Sequence, residues 1–239
     1  MNIALIFAGG TGVRMNNKGK PKQFLELHGK PIIIYTLEAF EHHPEIDKIV
    51  VVCLESYIGE LKKSIKKFDL NKITEIVPGG NSGFESIFIG LTALEGTCAD
   101  DDIVLLNDGV RPLIDEQLIS ENINCAKQNG NAITTVSVIE GIIISKDGVM
   151  VDEYPDRNLM YATKAPQSYK YRMIYDLYKR ARRDGFVSVE SAHLCRHYGA
   201  KLYMVKGSYN NIKITTPMDY YIFRALQEVL ENDQIIGYQ

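Results

Sequence analysis

The sequence predicts an α/β fold: a Rossmann-like, mostly parallel sheet with helices on both faces. Three observations predict it. Short β-branched runs alternate with amphipathic segments of helical length through the first 138 residues. Several runs, such as KIVVVCL, are apolar at consecutive positions, as strands covered on both faces are. The loops richest in glycine and charge, at 8–22, 79–86 and 107–112, each follow a strand, which is where such sheets bind ligands.

The elements follow in order. Residues 2–7 are a short apolar run ending in glycines, hence a buried strand. A helix follows Pro31 over 32–40. Strand 48–54 is β-branched, and 57–68 is a helix with a Lys-rich outer face. Strand 73–77 ends at Pro78-Gly79-Gly80, and 85–94 has helical apolar spacing. Strand 103–106 lies behind the acidic run 100–102. A helix over 115–128 and a strand over 132–138 complete the alternation. Residues 139–145 and 149–154, around Lys146-Asp147-Gly148, then read as a β-hairpin with an Asp-Gly turn. Its apolar residues, Ile142, Ile143 and Ile144 among them, fall on both faces. Such a hairpin needs cover: either another subunit, the reading preferred here, or its own sheet. Helices at 170–184 and near 190–198, a strand at 201–205 and a helix from Pro217 to about 231 finish the chain. Thr216, Pro217 and Asp219 are a strong helix-start signal. The chain reads as a single domain over 1–239, with a β-arm at about 139–160.

Composition excludes several classes. The 239 residues are 45% hydrophobic and 24% charged, with a net charge of −3. That balance is not that of a nucleic-acid or membrane-surface binder. No apolar run reaches the ~18 residues a membrane span requires. MNIALIF is too short for a signal h-region and has no basic n-region. Cys53, Cys98, Cys125 and Cys195 are scattered without CxxC spacing, which predicts reduced thiols in a cytoplasmic protein. His193 and His197 share a helix face, but no third ligand accompanies them.

Five stretches remain. In FAGGTGVRMNNKGKPKQ, Gly9, Gly10 and Gly12 let backbone N–H groups approach an anion. The stretch matches neither GxxxxGK[ST] nor GxGxxG, and its glycines alone would also serve a plain turn. Arg14 and Lys22 add the fixed positive charge that attack at a triphosphate's α-phosphorus requires. In NDGVRP, Asp108 just past a strand suits Mg²⁺, which takes one or two carboxylates plus phosphate oxygens and water; an Asx turn accounts for it equally. In GGNSGFES, a glycine-rich turn opens a helix whose start can bind ribose or base, or is simply capped. In DRN and NIKITTPMD, Arg157 and Lys213 offer charge for a second anionic substrate.

Together AGGTGVRM, PKQFLELHGKP, NDGVRP, DRN, APQ and NIKITTPMD resemble the cytidylyltransferases that act on polyol phosphates, over nearly the whole chain. The resemblance implies transfer of CMP from CTP to a polyol phosphate, with Mg²⁺ as cofactor. It implies that Arg14, Lys22, Arg157 and Lys213 are catalytic. Phe7, Ala8, Gly9, Gly10, Gly12, Gly80, Asn81, Ser86 and Asp108 would bind the nucleotide, Asp108 through the metal. Arg157, Glu190, Lys213 and Thr215 would bind the acceptor, and the hairpin would be the arm that family homodimers exchange. Gly-Gly-Thr in the loop, PKQF and HGKPIIIYTLE look more like the ribitol 5-phosphate branch, which implies CDP-ribitol and teichoic acid or capsule synthesis. The alternative is the 2-C-methyl-D-erythritol 4-phosphate branch. Three departures stand out: Gly83 where the family has Arg, Val189-Glu190 for Thr-Asp, and Ala165-Pro166-Gln167 for Thr-Pro-Gln. Gly83 and Val189 also motivate a catalytically weak relative acting as a binding protein. Sugar-1-phosphate nucleotidyltransferases share a glycine-rich opening, but not the DRN and NIKITTPMD segments.

Overall fold

The computed structural model describes residues 1–10 and 20–232. Its strands are β1 (Asn2–Ala8), β2 (Glu26–Leu27), β3 (Lys30–Pro31), β4 (Lys48–Cys53), β5 (Ile73–Pro78), β6 (Ile103–Asp108), β7 (Asn131–Ser137), β8 (Tyr161–Lys170) and β9 (Met204–Lys206). The helices are α1 (Ile32–Glu41), α2 (Ile58–Lys67), α3 (Gly83–Ala93), α4 (Glu116–Asn129), α5 (Tyr171–Asp184), α6 (Ser191–His197) and α7 (Pro217–Asn232). Seven strands form one sheet in the order β5-β4-β1-β6-β8-β7-β9. β1 pairs parallel with β4 and β6, β4 with β5, and β7 with β9; only β8 runs antiparallel, between β6 and β7.

Alternation along the strands explains the continuous apolar runs. Ala4 and Ile6, Ile49 and Val51, and Ile103 and Leu105 face the layer holding α1, α2 and α4. Ile3 and Leu5, Val50 and Val52, and Val104 and Leu106 face the layer holding α3, α5 and α6. Both faces are buried, so both sets are apolar. In α5, Tyr171, Ile174, Tyr175, Tyr178 and Ala181 form the buried stripe, and the arginines lie outside it. Gly130 and Gly185 end α4 and α5 with φ of +87° and +70°, a backbone that glycine adopts without strain.

Two elements escape the sequence reading. β2 and β3 form a short hairpin, with His28 and Gly29 at positive φ in its turn. β8 is a ten-residue strand inside the sheet, although it contains Pro166. A proline cannot donate to a ladder, and the β7–β8 register shifts opposite it, between Ile133 and Thr135. Side chains then satisfy the carbonyls beside the shift: Asn211 Nδ2 donates to Ala165 O, and Thr134 Oγ1 to Pro166 O, both at 2.6 Å.

The arm differs from a regular hairpin. One antiparallel bridge, Ile144 to Glu153, joins its two sides. The turn forms around Asp147 as expected: Gly148 has φ +74°, and Asp147 Oδ1 accepts from the amides of Val149 and Met150. Val149, Met150 and Tyr154 are 87%, 67% and 71% exposed, so among the described residues these apolar side chains of the arm are left uncovered. Among the described residues, no helix is long and apolar enough to cross a membrane.

α3 crosses the sheet closely at Gly90. A Cβ there would sit 2.8 Å from Leu5 Cδ1 and 2.9 Å from Val52 Cγ2. Overpacking a buried site costs about 1–3 kcal/mol, and Gly→Ala in a helix returns about 1 kcal/mol. Gly90→Ala should therefore lower the urea midpoint, by roughly 1 kcal/mol of stability. An unchanged or raised midpoint would show that the layers have slack.

Candidate active site

The site lies at the ends of β1, β4, β5 and β6, where parallel strands deliver their loops to one edge. Two adjoining cavities open there. The larger, about 1060 Å³, is walled by Gly9 and Gly10 after β1, by the turn from Gly79 to Gly83, and by Lys22. The smaller, about 120 Å³, runs toward β8 between Arg111, Lys164 and Glu190. Phe7, Ile87, Asp108, Val189 and Lys213 border both.

Asp108 stands at the junction. Lys213 Nζ lies 2.7 Å from its Oδ1, and Arg111 Nε lies 2.9 Å from its Oδ2. Burial pushes the carboxyl up, but the Lys213 and Arg111 charges outweigh it and hold the group below the ordinary value. The three residues come from β6, the loop after it and the segment before α7. Arg111 Nη1 also donates to Asn211 O at 3.1 Å, and Ile214 N donates to Val110 O at 2.9 Å. These bonds seat the 211–214 segment against the β6 loop.

The nucleotide-facing wall is held from two sides. Gln23 is buried, and its Nε2 donates to Ala8 O at 2.6 Å and Gly10 O at 3.0 Å. It fastens the described start of the glycine loop to the Lys22–Phe24 turn. Lys22 Nζ donates to Ile214 O at 2.8 Å, which ties that turn to the Lys213 segment. On the other side, Ser82 caps α3 by accepting from Glu85 N, and Glu85 accepts from Asn81 N. Capping therefore accounts for Ser82 and Glu85. Gly80, Asn81 and Ser86 line the larger cavity, and Ser86 Oγ accepts from Gly80 N at 3.2 Å. Gly83 also lines it, with open space where a side chain would stand.

Most of the residues singled out in the sequence meet here. Phe7, Ala8, Gly9, Gly10, Lys22, Gly80, Asn81, Ser86, Asp108 and Lys213 border the larger cavity, and Glu190 the smaller. Thr215 is one step away, with its Oγ1 donating to Lys213 O at 3.1 Å. Gly12 and Arg14 lie outside the described residues. Arg157 is not brought in: it sits exposed at the base of the arm, donates to Ile139 O at 2.9 Å, and borders neither cavity. Gln23, Arg111 and Lys164 carry parts of the site that the motifs did not assign. Arg111 lies inside NDGVRP, where its charge was a signal; Gln23 lies inside PKQF, but its neutral amide gave none.

The donor set admits a hard cation. Among the described residues, no three His, Cys, Asp or Glu side chains gather. One ionised carboxylate at a cavity rim fits Mg²⁺ completed by phosphate oxygens and water; it does not make a closed protein cage.

The family model IspD, 2-C-methyl-D-erythritol 4-phosphate cytidylyltransferase, matches residues 2–228. The chain belongs to this family. A ribitol-5-phosphate cytidylyltransferase of Vibrio parahaemolyticus serotype O3:K6 is 46% identical over 99% of this chain and 100% of its own. A 2-C-methyl-D-erythritol 4-phosphate cytidylyltransferase of Clostridium novyi is 39% identical over 91% of this chain and 93% of its own. The crystal structure of a 4-diphosphocytidyl-2C-methyl-D-erythritol synthase from Anaerococcus prevotii superimposes with a TM-score of 0.83 at 30% identity, covering 95% of this chain and 96% of that one. The mostly parallel α/β architecture is thus the architecture of a cytidylyltransferase family.

The paired Asp108 carboxyl has a pH signature. Its folded value is depressed, so its stabilisation is fully present above the unfolded value of 3.8 and is lost as pH falls through the lowered folded value. The stability difference between wild type and Asp108→Asn, measured by urea unfolding, should be constant from neutral pH to about 4 and shrink below it. A difference that stays flat below pH 3 would mean that the Lys213 and Arg111 contacts do not hold in solution.

Proposed function

We infer that this chain transfers CMP from CTP to D-ribitol 5-phosphate, giving CDP-ribitol and pyrophosphate. One observation carries the reading: a glycine-walled cavity of nucleotide size meets a smaller cationic cavity at Asp108 and Lys213. The higher identity to the ribitol-5-phosphate relative favours that acceptor over methylerythritol phosphate.

The chemistry follows from the layout. CTP lies in the larger cavity, with its phosphates along Gly9, Gly10 and Lys22 and its cytidine at Gly80, Asn81 and Ser86. Asp108, whose oxygens also face Lys213 and Arg111, would hold Mg²⁺, which would neutralise phosphate charge. The acceptor's phosphate lies beyond the junction, held by Lys213. Its second ionisation is near pH 6, so an anionic oxygen is available at neutral pH without a general base. That oxygen forms a bond to the α-phosphorus, the bond from the α-phosphorus to the α–β bridging oxygen breaks, and pyrophosphate departs with that electron pair. Lys22 and Arg14 offset the charge that develops. Positioning and fixed charge supply the catalysis.

Arg157 belongs to this scheme through a second copy. The exposed apolar arm calls for a partner, and Arg157 lies at its base. The chain is a homodimer in this reading, and the exchanged arm brings Arg157 to the partner's acceptor. The product, a polyol phosphate activated by a phosphoanhydride to CMP, links the chain to teichoic acid or capsule assembly in the cytoplasm.

Pyrophosphate release with CTP and Mg²⁺ tests the acceptor. Release with D-ribitol 5-phosphate, and much less with methylerythritol 4-phosphate or none, is the expected result. The reverse preference moves the chain to the other branch, and silence with both refutes the reading. Lys22→Ala should cut the rate roughly 10²–10³-fold, the size of a lost transition-state donor. Arm exchange has its own test. Lys22→Ala and Arg157→Ala should each be nearly inactive, yet recover about a quarter of wild-type activity after unfolding and refolding together, because half of the dimers are mixed and one of their two sites is intact. No recovery would place Arg157 in its own subunit's site or outside the chemistry.

A further inference from the structure

The smaller cavity holds a cation that the scheme above does not use. Lys164 is half-buried on its wall. Its Nζ donates to Tyr209 O at 3.2 Å and to Asn211 O at 3.1 Å. Both acceptors are neutral carbonyls, and among the described residues no carboxylate pairs with the ammonium. Burial, and then the nearby Arg111 charge, lower its pKa. An ammonium in that position is stabilised by an anion that the chain does not itself provide.

The backbone explains why the lysine is there. The register shift at Pro166 releases the Ala165 carbonyl, and the Asn211 side chain takes it. The Asn211 carbonyl in turn receives both Arg111 Nη1 and Lys164 Nζ. One buried asparagine thus fixes two cations against the cavity. The facing wall has the opposite character: Glu190 Oε2 accepts from Thr163 Oγ1 at 3.0 Å, and both residues border the same space. Among the described residues lining it, Arg111, Lys164 and Lys213 stand against Asp108 and Glu190, so the cavity carries an excess positive charge.

We propose that Lys164 is an acceptor-binding residue that grips the polyol's phosphate together with Lys213, while Glu190 and Thr163 take hydroxyls of its carbon chain. The proposal rests on the acceptor reading above. It makes Lys164 a selectivity element for phosphorylated over neutral polyols, and it leaves CTP binding untouched because Lys164 does not border the larger cavity.

Lys164→Gln keeps a donor for Asn211 O and removes the charge. Its KM for D-ribitol 5-phosphate should rise about tenfold or more, the value of a charged hydrogen bond. KM for CTP and Tm should stay near wild type, and Lys164→Arg should recover most of the loss. Lys164→Met run alongside keeps the charge comparison if one variant does not fold. Calorimetric titration with D-ribitol 5-phosphate reads the same difference without turnover. Wild-type turnover with an unchanged acceptor KM and affinity in the variants overturns the Lys164 assignment alone. A wild type that turns over neither polyol phosphate overturns the acceptor reading; Lys164 then stands if titration still shows weaker binding in the variants, and falls if wild type binds no better than they do.

Discussion

The clasp of Asp108 between Lys213 and Arg111 is the contact on which the site's geometry depends. Each oxygen of the carboxylate takes one cation, and the two cations are more than 100 positions apart in sequence. Charge-assisted bonds of this kind hold direction as well as distance. Removing Asp108 would leave two cations without their shared carboxylate at the junction of the two cavities. Asp108 and Lys213 border both cavities, so the clasp sits where the proposed nucleotide and acceptor sites adjoin. Lys22, tied to Ile214 O, joins the same unit from the nucleotide side.

The sheet supplies the frame for this clasp. β1, β4, β5 and β6 are parallel, and β1, β4 and β6 are buried on both faces, so their loops leave at one edge. β8 then enters antiparallel and brings Thr163 and Lys164 to the same edge from the far side. Its proline, which would weaken an ordinary central strand, falls where the register shifts. The two carbonyls released there are bonded by Thr134 and Asn211, and the strand brings Thr163 and Lys164 to the wall of the smaller cavity.

Much of this was legible in the sequence. Strands of the parallel half read clearly, because burial on both faces leaves an apolar residue at every position, as in KIVVVC. α3 read from its apolar spacing, and α7 from its Thr216-Pro217 start. β8 did not, because Lys164, Pro166, Gln167 and Ser168 interrupt any alternation, and its pairing is set by distant strands. The arm's apolar residues were visible, but the single bridge at Ile144 was not. At the site, Asp108, Lys22 and Lys213 stood out as charges beside glycines or strand ends. Gln23 did not, because an amide that hydrogen-bonds two carbonyls leaves no charge pattern. The place of Lys164 depends on Asn211, 47 residues away, which no local pattern encodes.

The most direct test is a crystal structure with CTP, Mg²⁺ and D-ribitol 5-phosphate in a slow variant such as Lys22→Ala. The account predicts the triphosphate along Gly9 and Gly10, the base at Gly80 and Asn81, and the acceptor's phosphate at the Asp108–Lys213 junction facing the α-phosphorus. A nucleotide seated in the smaller cavity, or an acceptor phosphate remote from Lys213, would contradict it.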